Sequence, residues 1–303
     1  MTIINFLKEF KDDNVCRKHF KKIREKAGIK CKNCLGNEHY WLPSKEQWQC
    51  KECGFRTTLR SGTIMESSKL SFHTWYTAMA FMSFSKKGIS ASELQRQLDH
   101  SRYETVWKLM HKIRKVMGQR DGLYLLEDMI EMDEAYIKVE TTEYEKSKTK
   151  RGRGSTDLQA VTIMAESTPL ENIDTGKKSR HVRFYKMKVL ENHTADAIEN
   201  NLEEAIDEDI VLFTDQNRSY SNLADIVSVH VSEKSSHETT VSTLKWVHIA
   251  ISNLKRNFLG IYHKIKRKHL QNYLNEFCYK LNRRYFNHGL FDRLVLAHAT
   301  SYW

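Results

Sequence analysis

Apolar and polar residues alternate through the middle of the chain, as expected for strands whose successive side chains point to opposite faces of a sheet. β-Branched or alternating runs predict five strands, over residues 128–139, 157–167, 180–190, 209–215 and 227–231. Helical spacing predicts an amphipathic helix over 193–206, opened by Thr194, and a brief helix over 219–226. Three sequential strands, a crossover helix and a further parallel strand predict an α/β fold with a mixed sheet and flanking helices.

Helices are predicted on both sides of this sheet region. Residues 71–85 predict one helix, and residues 88–118 have the form of a helix-turn-helix, in which Ser90 precedes Glu93 with the spacing of a capping box. Beyond the sheet, residues 242–260 predict a helix with a buried stripe at 3–4 spacing. The stripe consists of Leu244, Val247, Ile251, Leu254 and Phe258.

The second helix of the helix-turn-helix segment separates apolar from basic residues. Its inward positions are Val106, Leu109, Met110 and Ile113. The basic positions that we predict to contact DNA are Lys108, Lys112, Arg114 and Lys115, with Arg102 just before them. A generic helical hairpin is the alternative for this segment.

Charge is unevenly distributed along the 303 residues, whose formal net charge is +11. Residues 1–126 hold 24 lysines and arginines against 12 acids, residues 127–252 hold 15 against 24, and residues 253–303 hold 10 against 2. This distribution favours a protein that binds nucleic acid through the basic regions that precede and follow a carboxylate-rich centre. An unevenly charged, solvated surface is the alternative.

Four of the six cysteines form two Cys-x-x-Cys pairs, "CKNC" at 31–34 and "CKEC" at 50–53. Each pair forms a knuckle that turns two thiolates toward one point, and two knuckles complete a closed tetrahedral zinc site. We therefore predict a zinc ribbon whose structural zinc ion is bound by Cys31, Cys34, Cys50 and Cys53. A redox dithiol is the alternative, but it needs only one such pair.

The sequence indicates a cytoplasmic protein. The first twenty residues have no apolar run of the secretory type, and the longest apolar-rich stretch, at 72–84, is too short to span a bilayer. We expect a nucleoid-associated protein with no membrane partner, in a compartment where clustered cysteines hold metal.

Two aspartates in the strand region suggest a cation site. Asp133 lies inside the first predicted strand and Asp215 ends the fourth, and these strands are adjacent in a mixed sheet of the RNase-H type. Two buried carboxylates form a hard-oxygen site that suits Mg²⁺, although for either aspartate alone a strand-end cap or turn residue is favoured. His248 and Lys255 lie seven residues apart, on one side of the last helix beside its buried stripe, from which they can reach the same edge.

The chain resembles insertion-sequence transposases of the DDE superfamily, in the ISXO-like class with a zinc ribbon ahead of an RNase-H-like catalytic domain. The resemblance covers about residues 20 to 290 and rests on "CKNC…CKECG", "EMDEAYI", "LFTDQNRSY", "LKWVHIAISNLKRNFLGIYH" and "HLQNYLNEFCYKLNRR" in that order. It implies that Asp133 and Asp215 are the first two catalytic acids. The third family position, commonly a Glu followed seven residues later by Lys, falls on His248 and Lys255.

The family pattern implies a catalytic Mg²⁺ or Mn²⁺ held by Asp133, Asp215 and His248, and DNA contacts from Lys255 with Arg256 beside it. The histidine departs from the pattern, which commonly has a carboxylate at this position. Imidazole is softer than carboxylate, so the change favours Mn²⁺ over Mg²⁺. The implied function is a DNA transposase that binds the terminal inverted repeats of its insertion sequence and catalyses strand cleavage and strand transfer. Synapsis of two double-stranded DNA ends implies a homodimer or larger assembly.

Two other functions stay open at this point. One is a DNA-binding regulator or domesticated transposase relic, in which His248 marks lost catalysis. The other is a metal-dependent nuclease without strand transfer.

These features predict four segments. They are an N-terminal helix and zinc ribbon over 1–66, a helix-turn-helix-like DNA-binding segment over 67–122, an RNase-H-like catalytic domain over 123–290 and a C-terminal tail over 291–303.

Overall fold

The computed structural model describes residues 1–142, 155–171, 176, 178–191, 194–207, 209–217, 220, 222–286 and 289–300. The chain forms two compact units, one of Met1–Arg120 with Tyr285–Trp303 and the other of Asp121–Arg284. No helix in the described part of the chain is both long and apolar enough to cross a membrane.

In chain order the helices and strands are α1 (Ile3–Glu9), α2 (Asp13–Ala27), β1 (His39–Leu42), β2 (Gln47–Cys50), β3 (Arg56–Thr58), α3 (Phe72–Phe84), α4 (Ala91–Gln97), α5 (Tyr103–Gly122), β4 (Met129–Lys138), β5 (Leu158–Glu171), β6 (Lys178–Val189), α6 (Ala195–Glu203), β7 (Val211–Asp215), β8 (Val229–Glu233), α7 (His237–Val241), α8 (Lys245–Ile261), α9 (Leu270–Asn282) and α10 (Leu290–Thr300).

The first unit has an aromatic core to which the end of the chain contributes. Phe291 of α10 contacts the rings of Phe6, Phe10 and Tyr76, with centroids 5.4 to 5.9 Å apart. The structure therefore differs from the predicted tail over 291–303, because α10 has an apolar face that is buried in this unit; residues 301–303 lie outside the described part. The other predicted segment boundaries stay predictions.

Helices α4 and α5 have the predicted pattern of buried residues. The hydroxyl of Ser90 accepts a hydrogen bond from the Glu93 amide at 3.1 Å and caps α4. Leu94 and the inward positions of α5 are buried: Val106, Leu109, Met110 and Ile113. Their burial fixes which side of α5 faces the core.

The second unit contains the predicted mixed sheet, with strand order β6-β5-β4-β7-β8. The first three strands in sequence pair antiparallel, whereas β4–β7 and β7–β8 pair parallel. Both faces are covered by apolar side chains: Ala135 and Ile137 of β4 pack with Val247 of α8, and Ile130 and Met132 pack with α6. The prediction of an α/β fold with an RNase-H-like mixed sheet is confirmed.

Several elements differ in extent or kind from the sequence pattern. The brief helix predicted over 219–226 is a single 3-10 turn at Leu223–Asp225, and residues 218, 219 and 221 lie outside the described part. Strand β8 begins two residues later than predicted, at Val229. Helix α7 was not predicted; Ser236 caps its first turn with a capping box, and turn residues separate the helix from α8.

Candidate functional site

Asp133 and Asp215 lie on adjacent parallel strands. The register of β4 and β7 pairs Met129 with Val211 and Glu131 with Phe213, and the same register continued brings Asp133 opposite Asp215. Neighbouring strands are about 4.8 Å apart, so the two carboxylates start from neighbouring backbone positions on one face of the sheet.

The two carboxylates differ in the hydrogen bonds that their oxygens accept. Asp133 Oδ1 accepts a hydrogen bond from the backbone amide of Glu134 at 2.7 Å. Asp215 Oδ1 is buried and accepts no hydrogen bond from the described part of the chain. A buried carboxylate oxygen of this kind is costly unless a cation approaches it. The donor set therefore fits a hard divalent cation such as Mg²⁺ or Mn²⁺.

His248 faces the same edge from α8. Its Nε2 lies 3.8 Å from Asp133 Oδ2, beyond hydrogen-bonding distance. Burial lowers the pKa of His248 below its usual value, and the nearby charge of Asp215 offsets part of that effect. The imidazole is therefore neutral at pH 7 and retains a lone pair for a cation.

The three side chains do not form a closed cluster. Among the described residues, only the four cysteines of the ribbon form a group of at least three possible ligands with all ligand atoms within 4.8 Å of one another. Asp133 and His248 approach each other, with His248 Nε2 3.8 Å from Asp133 Oδ2. An open arrangement of this kind leaves room for a cation together with substrate oxygens.

Helix α8 presents His248 because its apolar stripe packs on the sheet. All five predicted stripe residues are buried: Leu244, Val247, Ile251, Leu254 and Phe258. Lys255, two turns after His248, is exposed. Arg256 is exposed too, and its guanidinium donates to the Ser252 carbonyl and the Asn253 side chain of its own helix.

Sequence reasoning missed three further residues near this edge. Glu131 is fully buried on β4, two residues before Asp133, and contacts the first turn of α8. Glu233 pairs with Asp215 in the β7–β8 register and accepts a hydrogen bond from Thr243 at 2.7 Å. Tyr220 is buried, and burial together with the charges of neighbouring acids raises the pKa of its hydroxyl. The period-two spacing of Glu131 and Asp133 was the one signal in the sequence, whereas Glu233 depends on strand register and Tyr220 lies between β7 and β8.

The four ribbon cysteines come together at one point. The Sγ atoms of Cys31 and Cys53 are 3.5 Å apart, as are those of Cys34 and Cys50, and all four lie within 4.8 Å. Thiolates bound to tetrahedral zinc at about 2.3 Å are separated by about 3.8 Å, so these distances fit the ion.

Both knuckles close with the same turn. The amide of Leu35 donates to the Cys31 carbonyl, and the amide of Gly54 donates to the Cys50 carbonyl, each at 3.0 Å. Each donor has a left-handed backbone, with φ of 61° at Leu35 and 73° at Gly54. Only the second knuckle uses glycine, which adopts this conformation without steric cost.

The basic residues predicted to contact DNA have different environments. Lys108 and Lys115 are exposed, and Lys108 lies 2.7 Å from Glu104. Lys112 is half-buried and donates to the Ile64 carbonyl at 3.3 Å. Arg114 is 1% exposed, so its guanidinium faces the interior, and we leave it out of the proposed DNA-contact set.

An open groove of about 510 Å³ runs beside α5 in the first unit. Its lining residues include four cations and no carboxylate: Ser68, Lys69, Leu70, Trp75, His100, Ser101, Arg102, Thr105, Lys108, Leu109 and Lys112. A groove of this charge suits a phosphate backbone.

Comparison with known proteins extends these observations. Residues 125–282 match the family model of the ISXO2-like transposase domain, and residues 11–56 match that of the transposase zinc-ribbon domain. The chain is 26% identical over 206 residues to a Halobacterium salinarum protein described as an uncharacterized protein in transposable element ISH50, and the match covers 66% of each chain. The first match includes Asp133, Asp215 and His248, and the second includes all four ribbon cysteines.

Proposed function

Because the chain belongs to the family with the ISXO2-like transposase domain, as its resemblance predicted, we propose that it is a metal-dependent DNA transposase acting on the ends of its own insertion sequence. The observation that carries the proposal is the placement of Asp133 and Asp215 on adjacent parallel strands, each two residues beyond the paired Glu131 and Phe213, with His248 3.8 Å from Asp133. This arrangement supports phosphodiester chemistry at the edge of the sheet.

The proposed reaction has two steps. Water attacks the phosphorus at the end of the element, the bond from phosphorus to the 3′ oxygen breaks, and a 3′-hydroxyl is freed. That hydroxyl then attacks a phosphodiester of target DNA, so that one P–O bond forms as another breaks, with no covalent enzyme intermediate. A bound Mg²⁺ or Mn²⁺ would supply positive charge to the reacting phosphate and acidify the attacking water.

The residues of the chain have separate roles in this proposal. Asp133 and Asp215 hold the cation, and the neutral His248 completes or tunes the site. Lys255 and Arg256, exposed on the same helix, hold the DNA near the reacting phosphate. The ribbon and α5, with Lys108, Lys112 and Lys115, bind the terminal repeats.

Synapsis of two transposon ends implies more than one copy of the chain, so we propose a homodimer or larger assembly on DNA. Its substrates are double-stranded transposon ends and target DNA, which places the protein on the nucleoid in the cytoplasm.

The test is an assay of the purified protein on DNA that carries the terminal repeats of its element, in Mg²⁺ and in Mn²⁺. The proposal expects cleaved ends with 3′-hydroxyls and joined products. Cleavage without joining would identify a nuclease, and repeat binding without cleavage in either metal would identify a regulator or relic. Either of these two outcomes contradicts the proposed transposase.

A further inference from the structure

We propose that Glu131 is a positioning residue, whose buried carboxylate fixes the first turn of α8, and with it His248, against the strand that carries Asp133. The consequence for catalysis rests on the proposed function. The contact between Glu131 and the first turn of α8 does not depend on the proposed function, and it can be tested separately.

The contact consists of two hydrogen bonds from the start of α8. Glu131 is 0% exposed, and its Oε2 accepts from the backbone amides of Trp246 at 2.7 Å and Val247 at 3.1 Å. The N-cap position of α8 is Leu244, whose side chain offers no acceptor. A carboxylate at this end satisfies first-turn amides and opposes the positive end of the helix dipole.

This contact connects the two sides of the candidate site. Glu131 and Asp133 are two residues apart on β4, so both point to the face on which α8 packs. His248 directly follows Val247, and its amide donates to the Leu244 carbonyl at 3.1 Å, so it belongs to the same turn. Strand β4 thus carries Asp133 itself, and it positions His248 through the hydrogen bonds that Glu131 accepts from α8.

Small displacements of the ligands in a cation site lower the reaction rate strongly. Cation ligands must be held within about 0.5 Å of the productive geometry, and a shift of about 1 Å can cost about a hundredfold in rate. Release of the first turn of α8 would move His248 relative to Asp133 without touching either side chain. Glu131 therefore acts on the chemistry through the placement of His248.

The sheet offers a matched control in Glu166. This residue is also buried, at 4% exposed, and lies opposite Ile130 on β5. Its carboxylate faces Arg183 at 3.2 Å and the Glu127 amide at 3.4 Å. Substitution of Glu166 thus removes a buried carboxylate from the neighbouring strand of the same sheet, and its partners Arg183 and Glu127 lie outside α8.

The first experiment measures amide hydrogen exchange in the full-length protein and in its E131A, E131Q and E166Q variants. We expect protection of the Trp246 and Val247 amides to fall at least about tenfold in E131A, because their acceptor is lost. E131Q keeps an acceptor oxygen and should retain most of the protection, and E166Q should match the parent. Unchanged protection at both amides in folded E131A overturns the proposal. If E131A does not fold, E131D takes its place, since its side chain is one methylene shorter and carries the same prediction.

The second experiment measures cleavage of the element's end at saturating DNA, together with the DNA dissociation constant. E131A should cleave at least about tenfold more slowly with its DNA affinity within about twofold of the parent, and E131Q should recover most of the rate. Lost amide protection with a parental cleavage rate overturns the positioning role. If the parent itself does not cleave, the proposed function fails, while the exchange data still decide the contact.

Discussion

At the scale of single residues, His248 is the feature that sets the proposed cation site apart from a site of three carboxylates. Its imidazole lies beside Asp133, and burial keeps its pKa below the usual value. A neutral nitrogen ligand contributes no negative charge, so a site with two carboxylates holds a hard dication less tightly than one with three. Softer nitrogen ligands also shift preference toward Mn²⁺.

Substitution His248→Glu tests this preference. A third carboxylate should raise cleavage in Mg²⁺ relative to Mn²⁺, so the ratio of the Mn²⁺ rate to the Mg²⁺ rate should fall by about tenfold. Initial rates of end cleavage in each metal measure the ratio, with His269→Gln, at a half-buried position outside the site, as the control. A ratio equal to that of the parent would show that His248 does not bind the cation.

His298 gives the first unit a specific acid sensitivity. It is fully buried in α10, its Nδ1 donates to the Leu294 carbonyl at 2.8 Å, and burial lowers its pKa to about 4. The unfolded chain takes up this proton near pH 6.5 and the folded chain only near pH 4, so stability is lost as the pH falls through that window. From pH 7 to pH 5 the loss due to His298 should be about 2 kcal/mol.

Urea unfolding of the parent and of His298→Leu at pH 7 and pH 5 measures this loss. Other titrating groups are common to both proteins and cancel in the comparison. The variant should lose about 2 kcal/mol less than the parent over this interval, and an equal loss in both would contradict the assignment.

At the scale of elements, much of the architecture follows from local pattern. The β-branched or alternating runs of apolar residues located strands β4 to β7. The 3–4 spacing of Val247, Ile251 and Leu254 identified the face of α8 that packs on the sheet. The pattern failed where the chain depends on tertiary contacts. Leu244 is a poor helix N-cap in isolation, and only the fold shows that Glu131 serves the end of α8 instead.

The ribbon depends on its four cysteines acting together, because a segment of this size has too small a core to fold without metal. Cys31→Ser should remove bound zinc, measured as metal per chain, and with it binding of the terminal repeats. Cys278→Ser should keep the parental zinc content, since that thiol is buried in the second unit beside the sheet. Full zinc content in Cys31→Ser would refute the four-cysteine site.

On helix α5 the proposed DNA contacts and the buried arginine are different residues. The double variant Lys108→Ala, Lys115→Ala removes two exposed cations, so the slope of log affinity against log salt should become shallower by about 2. Arg114→Ala removes a buried side chain and should lower the free energy of unfolding by about 2 kcal/mol or more while the slope stays parental. Salt-dependent binding and urea unfolding of both variants check this, and an unchanged slope in the double variant contradicts the DNA-contact role.

At the scale of the whole molecule, the charge of the chain follows its two units. The first unit holds 25 lysines and arginines against 12 acids, whereas the second holds 24 against 26, because the acidic middle and nine of the ten basic residues of 253–303 both lie within it. Local periodicity did not reveal that α10 joins the first unit, because Phe291 meets Phe6 and Phe10 from the other end of the sequence. The sequence predicted that Asp133 and Asp215 lie on adjacent strands, as β4 and β7 are, whereas the environments of Glu131 and Arg114 depend on burial that only the fold determines.

The central claim is that Asp133 and Asp215 hold the cation that strand cleavage requires. The most direct measurement is the initial rate of end cleavage by Asp133→Asn and Asp215→Asn, with Asp196→Asn, an exposed aspartate in the first turn of α6, as the control. We predict at least about a hundredfold loss in each of the first two variants, with DNA affinity unchanged and the control at the parental rate. Cleavage at the parental rate by either Asp133→Asn or Asp215→Asn would contradict the account.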